Sequence, residues 1–88
     1  MGMNETLKAI SDSVRRDILQ MLKSGKKSAG EIAGAFNLSG ATVSYHLAKL
    51  KEADLIVEQK RKNFIYYELN ASVFEEILTW IYDLGGKK

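Results

Sequence analysis

The chain has 88 residues, which suffice for one domain with a modest core but leave no room for a second, separately folded catalytic domain. Hydrophobic residues make up 45% of it and charged residues 27%, a balance that predicts a folded globular domain rather than a disordered segment. The formal net charge of +2 is too small to indicate a polyanionic partner by itself. Any prediction of binding therefore depends on where the cations lie.

The sequence contains no cysteine, so disulfide bonds, thiolate metal sites and thiol redox switches are excluded. This composition favours a cytoplasmic location. The longest apolar runs are far shorter than the roughly 20 residues that span a bilayer, and we therefore expect no membrane span.

Two helices are predicted at the start of the chain. The first is short and rests on three apolar residues at helical spacing, Met3, Leu7 and Ile10. The second runs from Ser13 to about Lys23, because residues 11–13 can cap its start and Gly25 can adopt the left-handed conformation that ends a helix. Its apolar stripe consists of Val14, Ile18, Met21 and Leu22.

A third and a fourth helix follow with only about three residues between them. Ser28 and Glu31 have the spacing of a capping box, which predicts the start of the third helix, and this helix ends near Asn37. Ser39 is the predicted cap of a fourth helix that extends to about Ala53. Two helices this close together are typical of a helix-turn-helix, although an ordinary helical hairpin fits the spacing equally well.

A β-hairpin with a basic tip is predicted after the fourth helix. Residues 55–58 and 64–69 are rich in β-branched and aromatic side chains and flank a polar segment, residues 59–63. Lys60, Arg61 and Lys62 place three cations in that segment, and Asn63 is the expected left-handed turn residue. The alternative is a solvated hairpin whose charges only prevent edge-to-edge pairing.

Three segments, residues 7–16, 38–47 and 50–56, resemble ArsR-type transcriptional repressors, and the cysteine-free SdpR-like branch is the most similar. The resemblance implies a mainly α fold, a winged helix-turn-helix with five helices and a two-stranded wing before the last helix. It also implies a homodimer that binds double-stranded operator DNA and represses its own or a neighbouring operon. The chain departs from the family pattern at Ser13, Gly40 and Asp54, and Gly40 lacks the long polar side chain that many relatives direct at DNA.

The fourth helix is the expected recognition helix. At roughly 100° per residue, Val43, Leu47 and Leu50 form one buried stripe, and the residues opposite them can reach base edges. His46, the only histidine, lies near the edge of the stripe and is expected to make a structural hydrogen bond or a phosphate contact rather than act as an acid, base or metal ligand. The predicted DNA-binding residues are Ser39, Gly40, Ala41, Thr42, Ser44, Tyr45, His46, Lys49, Lys60, Arg61 and Lys62.

Among these residues, Tyr45, Thr42 and Lys49 are the ones for which we expect base or phosphate contacts most strongly. Outside the recognition helix, Arg15 and Arg16 are expected either to approach the DNA backbone or to pair with Asp12 or Asp17.

The last helix carries far more apolar residues than one buried face requires. Ser72 and Glu75 suggest a capping box at its start, and the apolar residues that follow cover an arc of roughly 200°. One side can cover the core while the other meets a second protomer, whereas the alternative is a helix buried within a monomer. The predicted dimer interface, to which the first helix contributes, is Met3, Leu7, Phe74, Ile77, Leu78, Trp80, Ile81, Tyr82 and Leu84.

Residues 1–88 are thus expected to form a single winged helix-turn-helix DNA-binding domain with dimerisation helices at both ends. Catalysis is not predicted, because one histidine without a cysteine or a glycine-rich phosphate loop cannot form the common nucleophile or metal constellations. For the same reason we expect neither a metal nor a cofactor. The main alternative function is a winged helix that binds another protein and not DNA. The sequence identifies neither an inducer nor a partner protein.

Overall fold

A computed structural model of the chain describes residues 3–85. It contains five helices and the predicted hairpin in the predicted order, together with one short additional strand. The elements are α1 (Met3–Ile10), α2 (Ser13–Leu22), β1 (Lys27–Ser28), α3 (Ala29–Phe36), α4 (Gly40–Glu52), β2 (Ile56–Arg61), β3 (Phe64–Leu69) and α5 (Ala71–Gly85). The mainly helical winged architecture is therefore confirmed. None of the helices within residues 3–85 is long and apolar enough to cross a membrane.

The sheet is antiparallel, with the strand order β1-β3-β2. Ser28 pairs with Tyr66, so the two residues of β1 extend the hairpin to a third strand that we did not predict. A strand of two residues has too few positions to show an alternating pattern, and its pairing partner lies almost 40 residues away along the chain. Only the tertiary arrangement reveals it.

The hairpin turn differs from the prediction in two respects. Arg61 pairs with Phe64, so β2 extends through Lys60 and Arg61 and the loop contains only two residues. The residue with positive φ is Lys62, at 55°, and the prediction of Asn63 was wrong. The reason is the register, because a tight two-residue hairpin loop commonly requires positive φ at its first position, which is occupied here by Lys62.

The predicted N-caps of three helices are confirmed. Asp12 accepts hydrogen bonds at Oδ1 from the backbone N–H groups of Val14 and Arg15, at 2.8 and 3.1 Å. Ser28 and Glu31 form the reciprocal capping box of α3, with distances of 3.1 and 2.8 Å. At α4, Ser39 Oγ accepts from the Thr42 N–H at 3.1 Å. These caps satisfy amide donors that have no partner inside the first helical turn.

The end of α4 is closed by an aspartate in a conformation that favours glycine. Asp54 has φ 60°, its N–H donates to the Lys51 carbonyl, and the Leu55 N–H donates to the Leu50 carbonyl. These two bonds form a Schellman motif. The chain therefore turns directly from α4 into β2, which fixes where the wing begins.

Helix α5 begins two residues earlier than the capping-box prediction would place it. It starts at Ala71, so Ser72 lies inside the first turn and is not the cap. Asn70 precedes the helix and is held by the α4–β2 connection, because its N–H donates to the Leu55 carbonyl at 3.0 Å and its Nδ2 donates to the Asp54 carbonyl at 2.9 Å. This tertiary anchoring determines the point at which the chain leaves β3.

The core lies between α2, α3, α4 and the start of β2. Its fully buried centre is formed by Ile18, Ile32, Val43, Leu50, Leu55 and Ile56. Helix α5 contributes only one buried residue, Ile77, and packs at the margin through the half-buried Val73 and Phe74. The core thus buries the inner faces of both helices of the helix-turn-helix, α3 and α4, whereas most of α5 lies outside the core.

Candidate nucleic-acid interface

Helix α4 has one apolar face in the core and an opposite face in solvent. Val43, Leu47 and Leu50 are all at most 3% exposed, which confirms the predicted stripe. The opposite side of the helix presents exposed residues only: Ala41, Thr42, Tyr45, Ala48 and Lys49. The buried stripe anchors the helix to the core. The side chains of the outward face are therefore not needed to hold the helix on the core and remain available to a ligand.

The start of α4 carries a small hydroxyl network. The Ser39 hydroxyl donates to Thr42 Oγ1 at 2.9 Å while its oxygen accepts from the Thr42 N–H. Ser39 therefore both caps the helix and orients the Thr42 hydroxyl, which keeps its own hydrogen for another acceptor. Gly40 is next to this pair, and a Cβ added there would meet nothing within 4 Å, so a larger residue would fit.

Tyr45 is the most prominent side chain of this face, with 56% of its surface exposed. Lys49 Nζ lies 5.7 Å from the centre of its ring, a cation–π contact. The Tyr45 ring also meets the His46 ring edge-on, with 5.4 Å between centroids. The tyrosine is thus held from two sides while its hydroxyl remains accessible as a hydrogen-bond donor or acceptor.

His46 differs from the other predicted DNA-binding residues, because only 8% of it is exposed. It lies three and four residues from Val43 and Leu50, on the buried side of the helix, and its Nδ1 is 3.3 Å from Nη1 of Arg15. A structural hydrogen bond was one of the two roles expected for it. We therefore separate His46 from the outward-facing set that includes Ser39, Gly40, Ala41, Thr42, Ser44, Tyr45 and Lys49.

Arg15 and Arg16 both bind the end of α1, an arrangement that the sequence did not suggest. Arg15 Nε donates to the Ala9 carbonyl at 2.8 Å, and Arg16 Nη1 donates to the Ile10 carbonyl at 2.9 Å. The last carbonyls of a helix lack partners inside it and carry partial negative charge, so they attract guanidinium groups. The two arginines thereby fasten α1 to α2.

The wing presents its cations on exposed positions. Lys60 and Arg61 lie in β2, and Lys62 is in the loop. Phe64 is cross-strand to Arg61 and is 60% exposed, an apolar feature of the tip that is not among the predicted DNA-binding residues. The recognisable signal was an aromatic residue immediately after the basic segment. The wing and the outward face of α4 are separate elements of the surface.

One ion pair joins the wing to α4. Lys51 Nζ lies 2.7 Å from Glu58 Oε1, and this hydrogen-bonded contact raises the pKa of Lys51 above its ordinary value. Tyr67 is the cross-strand partner of Glu58 and lies on the same face of the hairpin. Its burial, and to a lesser extent the negative charge of Glu58, raise the pKa of its phenol. A tyrosine that stays neutral and an ion pair thus line the junction between the two elements.

The predicted dimer interface divides into buried and exposed residues. Ile77 packs within the protomer, and Met3 and Phe74 are half-buried against the same core. The exposed members are Leu7, Leu78, Trp80, Ile81, Tyr82 and Leu84. Most of α5 therefore presents an apolar surface beyond the part that covers the core.

Residues 3–85 contain no group of three or more histidine, aspartate or glutamate side chains arranged to hold a metal ion.

Comparison with known proteins agrees with this architecture. Residues 10–59 match the helix-turn-helix domain family. The chain is 44% identical over 85 residues to the transcriptional repressor SdpR of Bacillus subtilis, covering 97% of this chain and 94% of the repressor. It is 33% identical over 72 residues to an arsenical resistance operon repressor of Staphylococcus aureus, covering 82% and 69% of the two chains. The chain belongs to the ArsR family of winged helix-turn-helix repressors.

The fold of this ArsR-family chain also matches a solved structure at lower identity. A homodimeric winged helix-turn-helix DNA-binding domain from Mycobacterium bovis superposes with a TM-score of 0.78 and 23% identity, covering 96% of this chain and 81% of that one. At that identity the match shows a shared fold. The family consists of transcriptional regulators, and the protein is accordingly a DNA-binding regulator and not an enzyme.

Proposed function

We propose that this ArsR-family protein acts in the bacterial cytoplasm as a homodimer that binds a specific double-stranded operator and represses its own or a neighbouring operon. The observation that carries the proposal is the outward face of α4. Its polar side chains are solvent-exposed, while Val43, Leu47 and Leu50 bind the helix to the core from behind. A helix supported in this way can enter a major groove as a rigid body.

The two exposed elements have different roles in the proposal. Thr42 and Tyr45 are on the supported helix, where a hydroxyl, a methyl group and an aromatic ring can read base edges. Lys60, Arg61 and Lys62 are on the wing, where cations attract phosphates whatever the base sequence. Sequence preference therefore comes mainly from α4, and the wing mainly adds charge.

Fluorescence anisotropy over a salt series tests this division. The probes are a duplex that the wild-type protein selects from a randomised library and a duplex of random sequence. Tyr45→Ala should weaken binding to the selected duplex by about 1–3 kcal/mol and weaken random binding much less. Arg61→Ala should weaken both similarly and reduce the slope of log affinity against log salt by about one.

Two results would contradict the proposal. If Tyr45→Ala weakens both duplexes equally and Arg61→Ala removes only the preference, the roles of helix and wing are reversed. If wild-type protein selects no duplex and its weak binding lacks a salt dependence, the chain is a protein-interaction module instead.

The homodimer is supported by the apolar surface of α5. Leu78, Ile81 and Leu84 are each more than half exposed, and an apolar surface of this extent is typical of an interface. The Mycobacterium bovis domain of the same fold is homodimeric. We expect light scattering at micromolar concentration to give the mass of two chains.

Ile81→Asp should produce a monomer, because an unpaired carboxylate would be buried in the interface. It should also lose affinity for the selected duplex, since one protomer then contacts only one half-site. Glu76→Ala, an exposed polar position of the same helix, is the matched control and should remain dimeric. A wild-type protein with the mass of one chain would exclude the dimer.

A further inference from the structure

Arg15 in α2 makes hydrogen bonds that connect α1 with the recognition helix. Its Nε donates to the Ala9 carbonyl at 2.8 Å and its Nη2 to the Lys8 carbonyl at 3.4 Å, both at the end of α1. Its Nη1 lies 3.3 Å from Nδ1 of His46 in α4. One guanidinium thus contacts two helices from a third.

The geometry of this contact is directional. A guanidinium is planar and donates its hydrogen bonds in fixed directions, so the two carbonyls of α1 determine where Nη1 points. For His46 to accept at Nδ1, its ring must be neutral with the hydrogen on Nε2. The backbone of Arg15 is itself held, because its N–H donates to the Asp12 cap. The Arg15 guanidinium is therefore held by contacts with α1 and the α2 cap that do not involve α4.

Apolar packing alone leaves α4 some freedom. The contacts of Val43, Leu47 and Leu50 oppose separation of the helix from the core, but hydrophobic burial is not directional and permits small rotations about the helix axis. Hydrogen bonds to base edges weaken steeply when the donor angle or distance changes. Because Tyr45 immediately precedes His46 in α4 and its ring contacts the His46 ring, a rotation at His46 displaces Tyr45 as well.

We propose that Arg15 is a positioning residue for DNA reading, which sets the rotation of α4 relative to α1 through His46 without touching DNA itself. The inference rests on the proposed operator binding. It predicts that the loss of the Arg15–His46 contact lowers discrimination between DNA sequences, whereas a loss of fold stability alone lowers binding to all sequences equally.

The neighbouring arginine provides a matched control. Arg16 also donates to a carbonyl at the end of α1, at 2.9 Å, but its side chain lies along a groove with Leu69 and Phe74 instead of reaching His46. Arg15→Met and Arg16→Met each remove one guanidinium that binds the end of α1, through two carbonyls for Arg15 and one for Arg16. Only the first removes a hydrogen bond to the recognition helix.

The measured quantity is the ratio of affinities for the selected and random duplexes, at constant salt. Arg15→Met should lower this ratio about tenfold, because the lost hydrogen bond to His46 lets α4 rotate and weakens the base contacts. Arg16→Met should leave the ratio within about twofold of the wild-type value. His46→Asn should keep most of the ratio because the amide oxygen can replace Nδ1 as acceptor, whereas His46→Leu should lose it as Arg15→Met does.

An unchanged ratio in Arg15→Met, or an equal fall in Arg16→Met, would overturn the inference. If Arg15→Met does not fold, the two His46 variants decide, and equal ratios for His46→Asn and His46→Leu would refute it. A wild-type protein without any preference for the selected duplex would instead refute the proposed function. The two failures are thereby distinguishable.

Discussion

The two longest helices, α4 and α5, have 13 and 15 residues, yet the protomer covers them very differently. In α4 the large aliphatic side chains Val43, Leu47 and Leu50 are buried. In α5 only Ile77 is buried, and Leu78 and Leu84 are among the most exposed apolar residues described. The difference follows from the width of the apolar face, since one core can cover about 100° of a helix and α5 presents about twice that.

This contrast separates two ways of using a helix. The narrow apolar stripe of α4 is fully buried inside the protomer, so the opposite face of the helix is available for a polar partner. The wide apolar face of α5 is only partly buried, and the part that remains exposed is suited to an apolar partner. Four predictions test this contrast and the local contacts that hold α4 in place, in order of decreasing effect.

The largest effect is expected from equivalent truncations in the two helices. Leu50→Ala should lower the free energy of unfolding by about 2–5 kcal/mol, because it leaves a cavity in the core. Leu78→Ala should cost less than about 0.5 kcal/mol at concentrations where the protein is monomeric, and more as concentration rises. Urea unfolding at several protein concentrations measures both. Equal losses in dilute protein would show that α4 and α5 are covered alike.

A smaller effect is expected at Asp12, which supports α4 indirectly by capping the helix that carries Arg15. Asp12→Ala should cost about 1 kcal/mol, whereas Asp17→Ala, an exposed position of the same helix, should cost less than about 0.5 kcal/mol. If the Asp17 variant is equally unstable, the cap has no special role.

The Asp12 contribution should also depend on pH. Hydrogen bonds from the Arg15 and Val14 amides, and the Arg15 charge, hold the pKa of Asp12 below its ordinary value of 3.8 despite some desolvation. The folded state therefore binds this proton less readily than the unfolded state. The stabilisation is complete above the ordinary pKa and is lost as the pH falls through the lowered one. In Asp12→Asn this acid-dependent loss should be smaller than in the wild type, as thermal unfolding between pH 2 and 6 would reveal.

The smallest effect is expected where α4 ends. Asp54→Gly should raise the free energy of unfolding by about 0.5 kcal/mol, because glycine adopts the observed φ of 60° without the steric cost that a Cβ imposes. Glu52→Gly, two residues earlier at the last position of the helix, should instead lower it by about 0.5 kcal/mol. A loss of stability in both variants would indicate that the Asp54 side chain outweighs its backbone conformation.

Much of the fold and of the outward face of α4 could be predicted, because the signals were local. Asp12, Ser28 and Ser39 cap helices within three residues of themselves, and Val43, Leu47 and Leu50 follow the period of a single helix. The order of these elements, together with the family resemblance, predicted the winged helix-turn-helix architecture.

The errors occurred where the local conformation depends on how segments pair. Strand β1, the start of α5 at Ala71 and the left-handed Lys62 depend on pairing with, or register against, another part of the chain. Sequence periodicity contains no information about such partners.

The sequence by itself determined the helix periods, the caps of α2, α3 and α4 and the positions of the cations, since each depends on neighbours within a few residues. Only the tertiary structure decided that His46 is buried against Arg15, that both arginines bind the end of α1 and that most of α5 remains uncovered. These outcomes depend on which helices pack together and on how much surface one small core can cover. Both are set by the three-dimensional arrangement of segments that are remote in sequence.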